Sequence, residues 1–264
     1  MRIFIGTDIE GVAGVSTFYI QTMPDGKYYE QARKLLTAEV NAAVEGMLDM
    51  GVEDILVSDG HGPGAISFED MHPAARLIHG RPPAPKIIET AVVGQYDAAI
   101  IIGQHAMAGT QTGNMNHTQN SREIDYYRLN GRAIGEIAQF ALHLGAYGIP
   151  LIFLSGDDAA CREAEEFVPG IVTAAVKQGL ARNSAISLSM PKSHRCICEG
   201  VKRAIKQHRE RPLPPLVWPG PYVMEIRYFH TDMADAVSQK SGAERVDSQT
   251  VRLRSDSVTD IIYG

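Results

Sequence analysis

The sequence predicts an α/β fold in which a mostly parallel sheet is flanked by helices in a Rossmann-like, three-layer core. Residues 2–7 form a short apolar run of strand length, residues 28–50 carry a helical pattern, and residues 54–58 form a second apolar run. A strand, a helix and a strand in this order favour parallel pairing with the helix covering the sheet. Further apolar runs at 98–103 and 150–155 extend the predicted sheet.

The helix at 28–50 is the most regular predicted element. Its apolar side chains form one stripe, made of Leu35, Leu36, Val40, Ala43, Val44 and Met47. Gly51 follows at the position where helices commonly end on glycine. By contrast, residues 61–90 contain eight Pro or Gly positions, and we predict a long irregular excursion there.

The remaining segments are assigned from similar signals. Asn130 and Gly131 form a strong two-residue hairpin signal between predicted strands at 123–129 and 132–134. Residues 104–120 are polar and lack periodicity, which in a compact domain is typical of a functional loop. The other predicted elements are a helix from about residue 135, a helix starting at 156–158, a strand at 171–177, a helix at 193–209 and strands at 222–229 and 250–254.

A proline-rich run at 211–221 divides the chain in this prediction. Its prolines can continue neither a helix nor a central strand. We therefore predict an α/β domain at 1–210 and a smaller C-terminal α+β part at 211–264, which contains the connector and the tail strands.

Composition and charge narrow the class of protein. The 264 residues are 44% hydrophobic, which allows a sizeable core, and the net charge of −6 argues against a nucleic-acid binder. No apolar run reaches the ~18 residues of a membrane-spanning helix, and the N-terminal residues lack the pattern of a signal peptide. Three cysteines, Cys161, Cys196 and Cys198, cannot all pair within one chain. We expect a reduced, cytoplasmic protein that acts without membrane or nucleic acid.

Two carboxylates, Asp8 and Glu10, follow the first predicted strand and are separated by one residue. Ligands of open α/β sheets bind outside the carboxyl ends of the strands. Residues of the same parity leave a strand on the same face, and two acids placed there must meet a cation or repel each other. The alternative interpretation of this pair is helix capping or a solvated loop end.

Histidines follow two further predicted strands. His61 and His105 each come shortly after a strand, and Glu136 opens the helix after the hairpin. Each has an ordinary explanation by itself, as a surface histidine or as an acid that complements a helix dipole. Together with Asp8 and Glu10 they form a mixed nitrogen and oxygen set that suits zinc, with manganese or cobalt also possible.

The number of these groups is itself informative. Five protein ligands exceed the three that one catalytic zinc uses. They suit two metal ions that share a bridging carboxylate at a separation of roughly 3.5–4 Å. Asp8, the first acid after the strand, is the better candidate for the bridge.

Other polar residues near these ligands are candidates for supporting roles. His117, in the loop at 104–120, could be a sixth ligand, a general acid or base, or simply exposed. Asn114 and Asn116 beside it could donate hydrogen bonds to a developing oxyanion. Asp59 could orient an imidazole ligand through a hydrogen bond.

Several short motifs occur in a consistent order along the chain. They are Asp8-x-Glu10-Gly11, Ser58-Asp-x-His61, Gly103-x-His105, His117, Asn130-Gly-Arg-x-x-Gly-Glu136 and Gly156-Asp-Asp158, followed by residues 163–169 and 173–178. This series resembles the zinc-dependent D-aminopeptidase family associated with bacterial dipeptide-transport operons. The resemblance covers about residues 1–230, and the remaining tail matches poorly.

The resemblance implies a metallo-aminopeptidase that removes the N-terminal residue, with a preference for D-amino acids, from short peptides. It also implies two zinc ions per chain with Asp8 as the bridge. Glu10 and His105 would complete the protein ligands of one zinc, and His61 and Glu136 those of the other.

The resemblance has two further implications. His117 matches the catalytic histidine of the family, although its spacing from His105 is one residue longer than in the family pattern. The family also implies a ring-shaped homodecamer whose active sites face an internal chamber. Composition and periodicity do not address this assembly.

Two other functions are compatible with the same residues. Another dinuclear metal hydrolase, such as an amidase or a phosphoesterase, could use these ligands. A non-enzymatic, ring-forming protein with structural metals is less favoured, because structural zinc sites are usually closed and rich in cysteine.

Overall fold

The computed structural model describes residues 1–81 and 91–264. Its strands, in chain order, are β1 (Arg2–Thr7), β2 (Asp54–Ser58), β3 (Ala75–Ile78), β4 (Ala98–Gln104), β5 (Ile124–Leu129), β6 (Arg132–Ile134), β7 (Leu151–Asp157), β8 (Val172–Ala181), β9 (Ser184–Ser187), β10 (Tyr222–Tyr228), β11 (Glu244–Arg245) and β12 (Thr250–Ser255). The helices labelled here are α1 (Tyr29–Asp49), α2 (Glu136–Gly145), α3 (Asp158–Phe167), α4 (Met190–Glu210), α5 (Thr231–Val237) and α6 (Val258–Ile261).

The main sheet contains seven strands in the order β3-β2-β1-β4-β7-β8-β9. Neighbouring strands are parallel except at one edge, where β8 and β9 pair antiparallel. Alternate residues of β1 point to opposite faces, as strand geometry requires. Ile3 and Ile5 join the core under α1 and α4, whereas Phe4 packs with Leu144 of α2 on the other face. The predicted α/β core, a mostly parallel sheet flanked by helices, is confirmed.

A second, smaller sheet is antiparallel and has the order β11-β12-β10-β5-β6. The tail strand β10 pairs with β12 on one side and with β5 on the other. The β5–β6 hairpin turns at Asn130 and Gly131, which both have positive φ angles, 51° and 82°. The small sheet therefore takes strands from both sides of residue 211, and the division into 1–210 and 211–264 stays a prediction.

Three parts of the sequence-based assignment need correction. The irregular excursion predicted at 61–90 contains the parallel edge strand β3, whose four residues are half-exposed or exposed and so show little apolar pattern. Residues 82–90 of that excursion lie outside the described part of the chain. The strand predicted at 171–177 continues to Ala181 and turns back into β9. In the tail, the short elements α5, β11 and α6 were not predicted.

Glu39 is a carboxylate buried where α1 packs against α4, and it is 2% exposed. Its Oε1 accepts hydrogen bonds from the backbone N–H of Ala13, at 3.1 Å, and from the hydroxyl of Ser193. Its Oε2 has no hydrogen-bond partner among the described residues. Burial raises the pKa of Glu39 to about 7.

This raised pKa predicts a pH-dependent stability. The folded chain binds the Glu39 proton more tightly than the unfolded chain, so the contribution of Glu39 to stability is fully present below its ordinary pKa of 4.5 and is lost as the pH rises through about 7. Glu39→Gln keeps the size of the side chain and removes the titration. Urea unfolding of both proteins between pH 4 and 8 should show the wild type losing on the order of 3 kcal/mol relative to the variant. A difference that does not change with pH would contradict this assignment.

Candidate metal centre

The site lies at the carboxyl ends of β2, β1 and β4, which are adjacent in the main sheet. Asp8 directly follows β1, His105 directly follows β4, and His61 lies in the loop after β2. Glu136 is the first residue of α2 and enters from the side of the small sheet. The parallel pairing of three strands thus brings together side chains that are far apart in sequence.

Asp8 lies between two imidazoles and directs one oxygen to each. Its Oδ1 is 3.3 Å from His61 Nδ1, and its Oδ2 is 3.1 Å from His105 Nε2. A second carboxylate accompanies each imidazole. Glu10 Oε2 is 3.3 Å from His61 Nδ1, and Glu136 Oε1 is 3.5 Å from His105 Nε2.

Backbone carbonyl groups orient all three histidines. His61 Nε2 donates to the Thr22 carbonyl at 2.7 Å, and His105 Nδ1 donates to its neighbour Ala106 at 2.9 Å. His117 Nδ1 donates to the Met115 carbonyl at 2.9 Å. Because a carbonyl oxygen can only accept, the proton on each of these nitrogens is fixed. The other ring nitrogen of each histidine faces the carboxylates, which is how proteins commonly present imidazole to a metal.

The pKa shifts describe a buried cluster of opposite charges. Burial would raise the pKa of Asp8, but the imidazoles of His105 and His61 hold it well below its usual range. Burial would lower the pKa of His61, but Glu10 and Asp8 raise it well above its usual range. Glu136 and Asp8 act in the same way on His105, against its burial. The carboxylate of Asp8 is therefore stabilised in its ionised form by positive charge beside it.

A metal fits this cluster by two observations. Glu10 Oε2 and His105 Nε2 are buried, and neither makes a well-directed hydrogen bond to any residue that the structure describes. Ligand atoms of Asp8, Glu10 and His105 lie within 4.8 Å of one another, as do those of His105, His117 and Glu136. Unsatisfied buried oxygen and nitrogen atoms that converge in this way are the donor set expected for zinc.

His117 stacks against the ring of His105. The ring centroids are 3.9 Å apart with an angle of 16° between the planes, and His117 Nε2 is 3.9 Å from Glu136 Oε1. Burial and the neighbouring His105 lower the pKa of His117. The imidazole of His117 therefore lies beside the carboxylate cluster, with Nε2 near Glu136.

Two cavities meet at His117. One, of about 400 Å³, lies over the cluster and is lined by Asp8, Glu10, His61, His117 and Glu136, with the loop residues of 119–123. The other, of about 710 Å³, lies on the far side of His117. The site is therefore open to a ligand that extends past His117.

Two of the predicted supporting roles need correction. Asn114 donates its side-chain N–H groups to the carbonyls of Ser16 and Arg182, each at 3.1 Å, so it holds the loop and has no N–H left for an oxyanion. Asp59 accepts from the backbone N–H groups of Ala65 and Ile66 and, within residues 1–81 and 91–264, forms no hydrogen bond with an imidazole, so it shapes the loop that carries His61.

Asn116 keeps a position near the site. It lines the larger cavity together with His117. One of its amide hydrogens is donated to the Gly113 carbonyl at 2.7 Å, and its oxygen accepts from the Gly109 N–H at 3.2 Å. The oxyanion role of Asn116 stays a prediction.

Lys177 is a buried ammonium group that sequence reasoning missed. It is 2% exposed, and Nζ donates to the backbone carbonyls of Glu10 and Val15, the latter at 2.6 Å, and to Asn114 Oδ1 at 2.8 Å. Burial lowers the pKa of Lys177 to about 8. The available signal was a lysine next to Val176 within a partly buried strand, which does not reveal the distant partners.

Known proteins resemble this chain over almost its whole length. A family model described as D-aminopeptidase, peptidase family M55, matches residues 1–263. This chain belongs to the M55 family. The match includes the tail, so the limit near residue 230 that we expected from the motifs was too short.

Two relatives place the chain within the M55 family more closely. The D-aminopeptidase of Bacillus subtilis strain 168 is 30% identical over 265 residues, which cover 98% of this chain and 93% of that protein. A solved structure, described as the Zn-dependent D-aminopeptidase DppA from Bacillus subtilis, a self-compartmentalizing protease, superposes with a TM-score of 0.90. It is 27% identical, and the match covers 100% of this chain and 94% of that one. The chain is thus a hydrolase of a metallo-aminopeptidase family.

Within residues 1–81 and 91–264, no helix combines the length and the apolar character that crossing a membrane requires.

Lys177→Met provides a stability test of the buried lysine. The substitution keeps an unbranched side chain but leaves the carbonyl groups of Glu10, Val15 and Asn114 without their donor. We expect the free energy of unfolding in urea, with a chelator present, to fall by about 3 kcal/mol, since each unsatisfied buried acceptor costs about 1–3 kcal/mol and the loss of a buried charge offsets part of this sum. Lys192→Met, at an exposed position of α4, is the matched control. Equal stability of both variants would contradict the anchoring role.

Proposed function

We propose that this protein is a zinc-dependent D-aminopeptidase that hydrolyses the N-terminal residue from short peptides at a dinuclear zinc centre. The observation that carries the proposal is the position of Asp8, which directs one oxygen to each of two imidazoles, each with a further carboxylate beside it. One bridging carboxylate with one imidazole and one carboxylate on each side is a ligand set for two metal ions. The Zn-dependent relative supports zinc as the metal.

Two groupings of the ligands are compatible with the distances. Glu10 and His61 lie together on the Oδ1 side of Asp8, and Glu136 and His105 lie together on its Oδ2 side. The family resemblance implies pairing Glu10 with His105 and His61 with Glu136, and the ligand atoms of Asp8, Glu10 and His105 also lie within 4.8 Å of one another. Both groupings keep Asp8 as the bridge. Manganese or cobalt would also accept this mixed donor set.

Zinc bound there would supply a Lewis acid for the scissile carbonyl and would acidify the attacking water. The protein groups would then hold the substrate and move protons. Burial lowers the pKa of His117, its Nε2 lies 3.9 Å from Glu136 Oε1, and its ring lines both cavities. We assign His117 to proton transfer or to a hydrogen bond with the tetrahedral oxyanion, and general acid–base catalysis of this kind contributes ~10²–10⁴-fold.

The free N-terminus of the substrate needs an acceptor near the metals. Glu123 lines the same cavity as Asp8, Glu10 and Glu136 and is the acid there outside the ligand set. We assign the α-ammonium group of the peptide to Glu123 or to a metal. Binding of that group would explain cleavage of the first residue only. The preference for D-amino acids rests on the relatives, which are named D-aminopeptidases.

We further propose a homo-oligomer, a ring of ten chains with active sites on an internal chamber, in the cytoplasm. Support for the assembly comes from the solved relative, which is described as self-compartmentalizing. Support for the reducing compartment comes from the cysteines, since Cys161, Cys196 and Cys198 are all free thiols in the structure.

The direct test is metal content by mass spectrometry together with hydrolysis of D-Ala-D-Ala, L-Ala-L-Ala and a phosphate ester. We expect about two zinc ions per chain and cleavage of D-Ala-D-Ala. Asp8→Ala should lose metal and activity together, because it removes the bridge. Full metal content in Asp8→Ala would contradict the assignment of Asp8 as the bridging ligand. Two metals with cleavage of the phosphate ester alone would make the protein a different dinuclear hydrolase.

His117→Ala separates the catalytic group from the ligands. The variant should keep both metal ions and lose ~10²–10⁴-fold in kcat, because it lacks the group that moves the proton. Metal content and turnover are measured on the same sample. Turnover equal to that of the wild type would remove His117 from the mechanism.

A further inference from the structure

We propose that Arg182, together with Arg122, binds the free C-terminal carboxylate of the peptide substrate. The enzyme would therefore select peptides by their free carboxyl end as well as by their N-terminus. This inference rests on the proposed function, because it concerns the far end of the same substrate.

The first observation is the continuity of the cavities. The cavity of about 400 Å³ over the carboxylate cluster and the cavity of about 710 Å³ share His117, Ser121 and Arg122 in their linings. Arg182 lines the larger cavity and also a small one, of about 130 Å³, that Arg122 shares. A peptide held at the cluster by its N-terminal residue would extend past His117 toward two guanidinium groups.

The second observation is that Arg182 is held in place without neutralisation of its charge. Its guanidinium carbon lies 4.7 Å from the centre of the Phe18 ring. Its Nε donates to the carbonyl of Asn116 at 3.4 Å, and one Nη donates to the carbonyl of Ser121 at 3.3 Å. Carbonyl groups carry no net charge, so these bonds do not neutralise the positive charge of Arg182. They also leave the N–H donors of its other Nη atom for a ligand.

Arg122 is positioned in a similar way. Its guanidinium carbon lies 4.3 Å from the centre of the Tyr19 ring. Across residues 1–81 and 91–264, neither Arg122 nor Arg182 forms an ion pair with a carboxylate, whereas Asp125, an acid in the lining of the larger cavity, is paired with Arg227 at 3.3 Å. Two adjacent cations without anions therefore face the cavity.

The third observation is the short path from the reacting groups to these cations. The ring of Phe18 contacts Arg182, and its centroid is 5.6 Å from that of His117. One residue of extended peptide spans at most ~3.6 Å. A single aromatic ring thus separates the catalytic imidazole from the guanidinium, and this gap suits a substrate of few residues. A planar guanidinium binds a carboxylate through two parallel hydrogen bonds.

The experiment compares kcat/KM for D-Ala-D-Ala and for the same dipeptide with a C-terminal amide. We expect the wild type to favour the free acid by about 10- to 100-fold, as expected for hydrogen bonds to a charged group. Arg182→Gln should reduce this ratio toward 1, mainly through a higher KM for the free acid. Arg182→Lys, which keeps the charge but not the planar fork, should retain an intermediate ratio. Arg128→Gln, an arginine on β5 that stacks on Tyr126, is the control and should leave the ratio unchanged.

The possible outcomes distinguish a failure of this inference from a failure of the proposed aminopeptidase function. Equal kcat/KM for acid and amide in the wild type would overturn the inference alone, and this arm needs no variant to fold. In another outcome, Arg182→Gln lowers kcat for both substrates and leaves the acid-to-amide ratio of kcat/KM unchanged. That result would show a structural role for Arg182 and would also overturn the inference. Arg122→Gln repeats the test if Arg182→Gln does not fold. Zinc-loaded wild type that cleaves neither dipeptide would overturn the proposed function, and this inference with it.

Discussion

The carboxylate of Asp8, buried between two imidazoles, is the interaction on which the rest of the site depends. Asp8 is 6% exposed, and an isolated ionised carboxylate in that position would be strongly disfavoured. The strand order of the main sheet solves this problem, because β1 lies between β2 and β4. The loop after β2 carries His61, and the residue after β4 is His105. Each strand next to β1 therefore places one imidazole beside one oxygen of Asp8.

The loop that carries His117 is long, yet it is firmly attached to the main sheet. Met115 is fully buried at a positive φ of 51°, and its backbone N–H donates to the carbonyl of Arg182 at 2.7 Å. Next to it, Asn114 accepts from Lys177 and donates its backbone N–H to Asp157 Oδ2 at 2.8 Å. The same ammonium group holds the backbone at Glu10. One buried lysine thus sets the relative position of a carboxylate of the cluster and the loop that carries His117.

The sequence was sufficient wherever the signal is local. Asp8 and His105 directly follow apolar strands, His61 lies in the loop after another, and parallel pairing of such strands brings their carboxyl ends together. The hairpin at Asn130 was equally clear, since its two turn residues require positive φ. Lys177 was not predictable, because its partners are more than 60 residues away in the chain. The hydrogen bonds of Asn114 were hidden for the same reason, because Ser16 and Arg182 are also distant from it in the chain. The nearest polar group in sequence is not the nearest one in space.

The tail shows how far the site extends beyond the main sheet. Glu136 opens α2 immediately after the hairpin of the small sheet, and its Oε1 accepts from the backbone N–H of Gln119 at 2.6 Å. The side chain of Gln119 donates to Gln139 Oε1 at 3.0 Å, and the fully buried Gln139 donates in turn to the carbonyl of Ile262 at 2.8 Å. A chain of hydrogen bonds therefore connects the last residues of the protein to a carboxylate of the cluster. Because β10 of the tail also pairs with β5 of the hairpin, the proline-rich connector separates two stretches of sequence that together position Glu136.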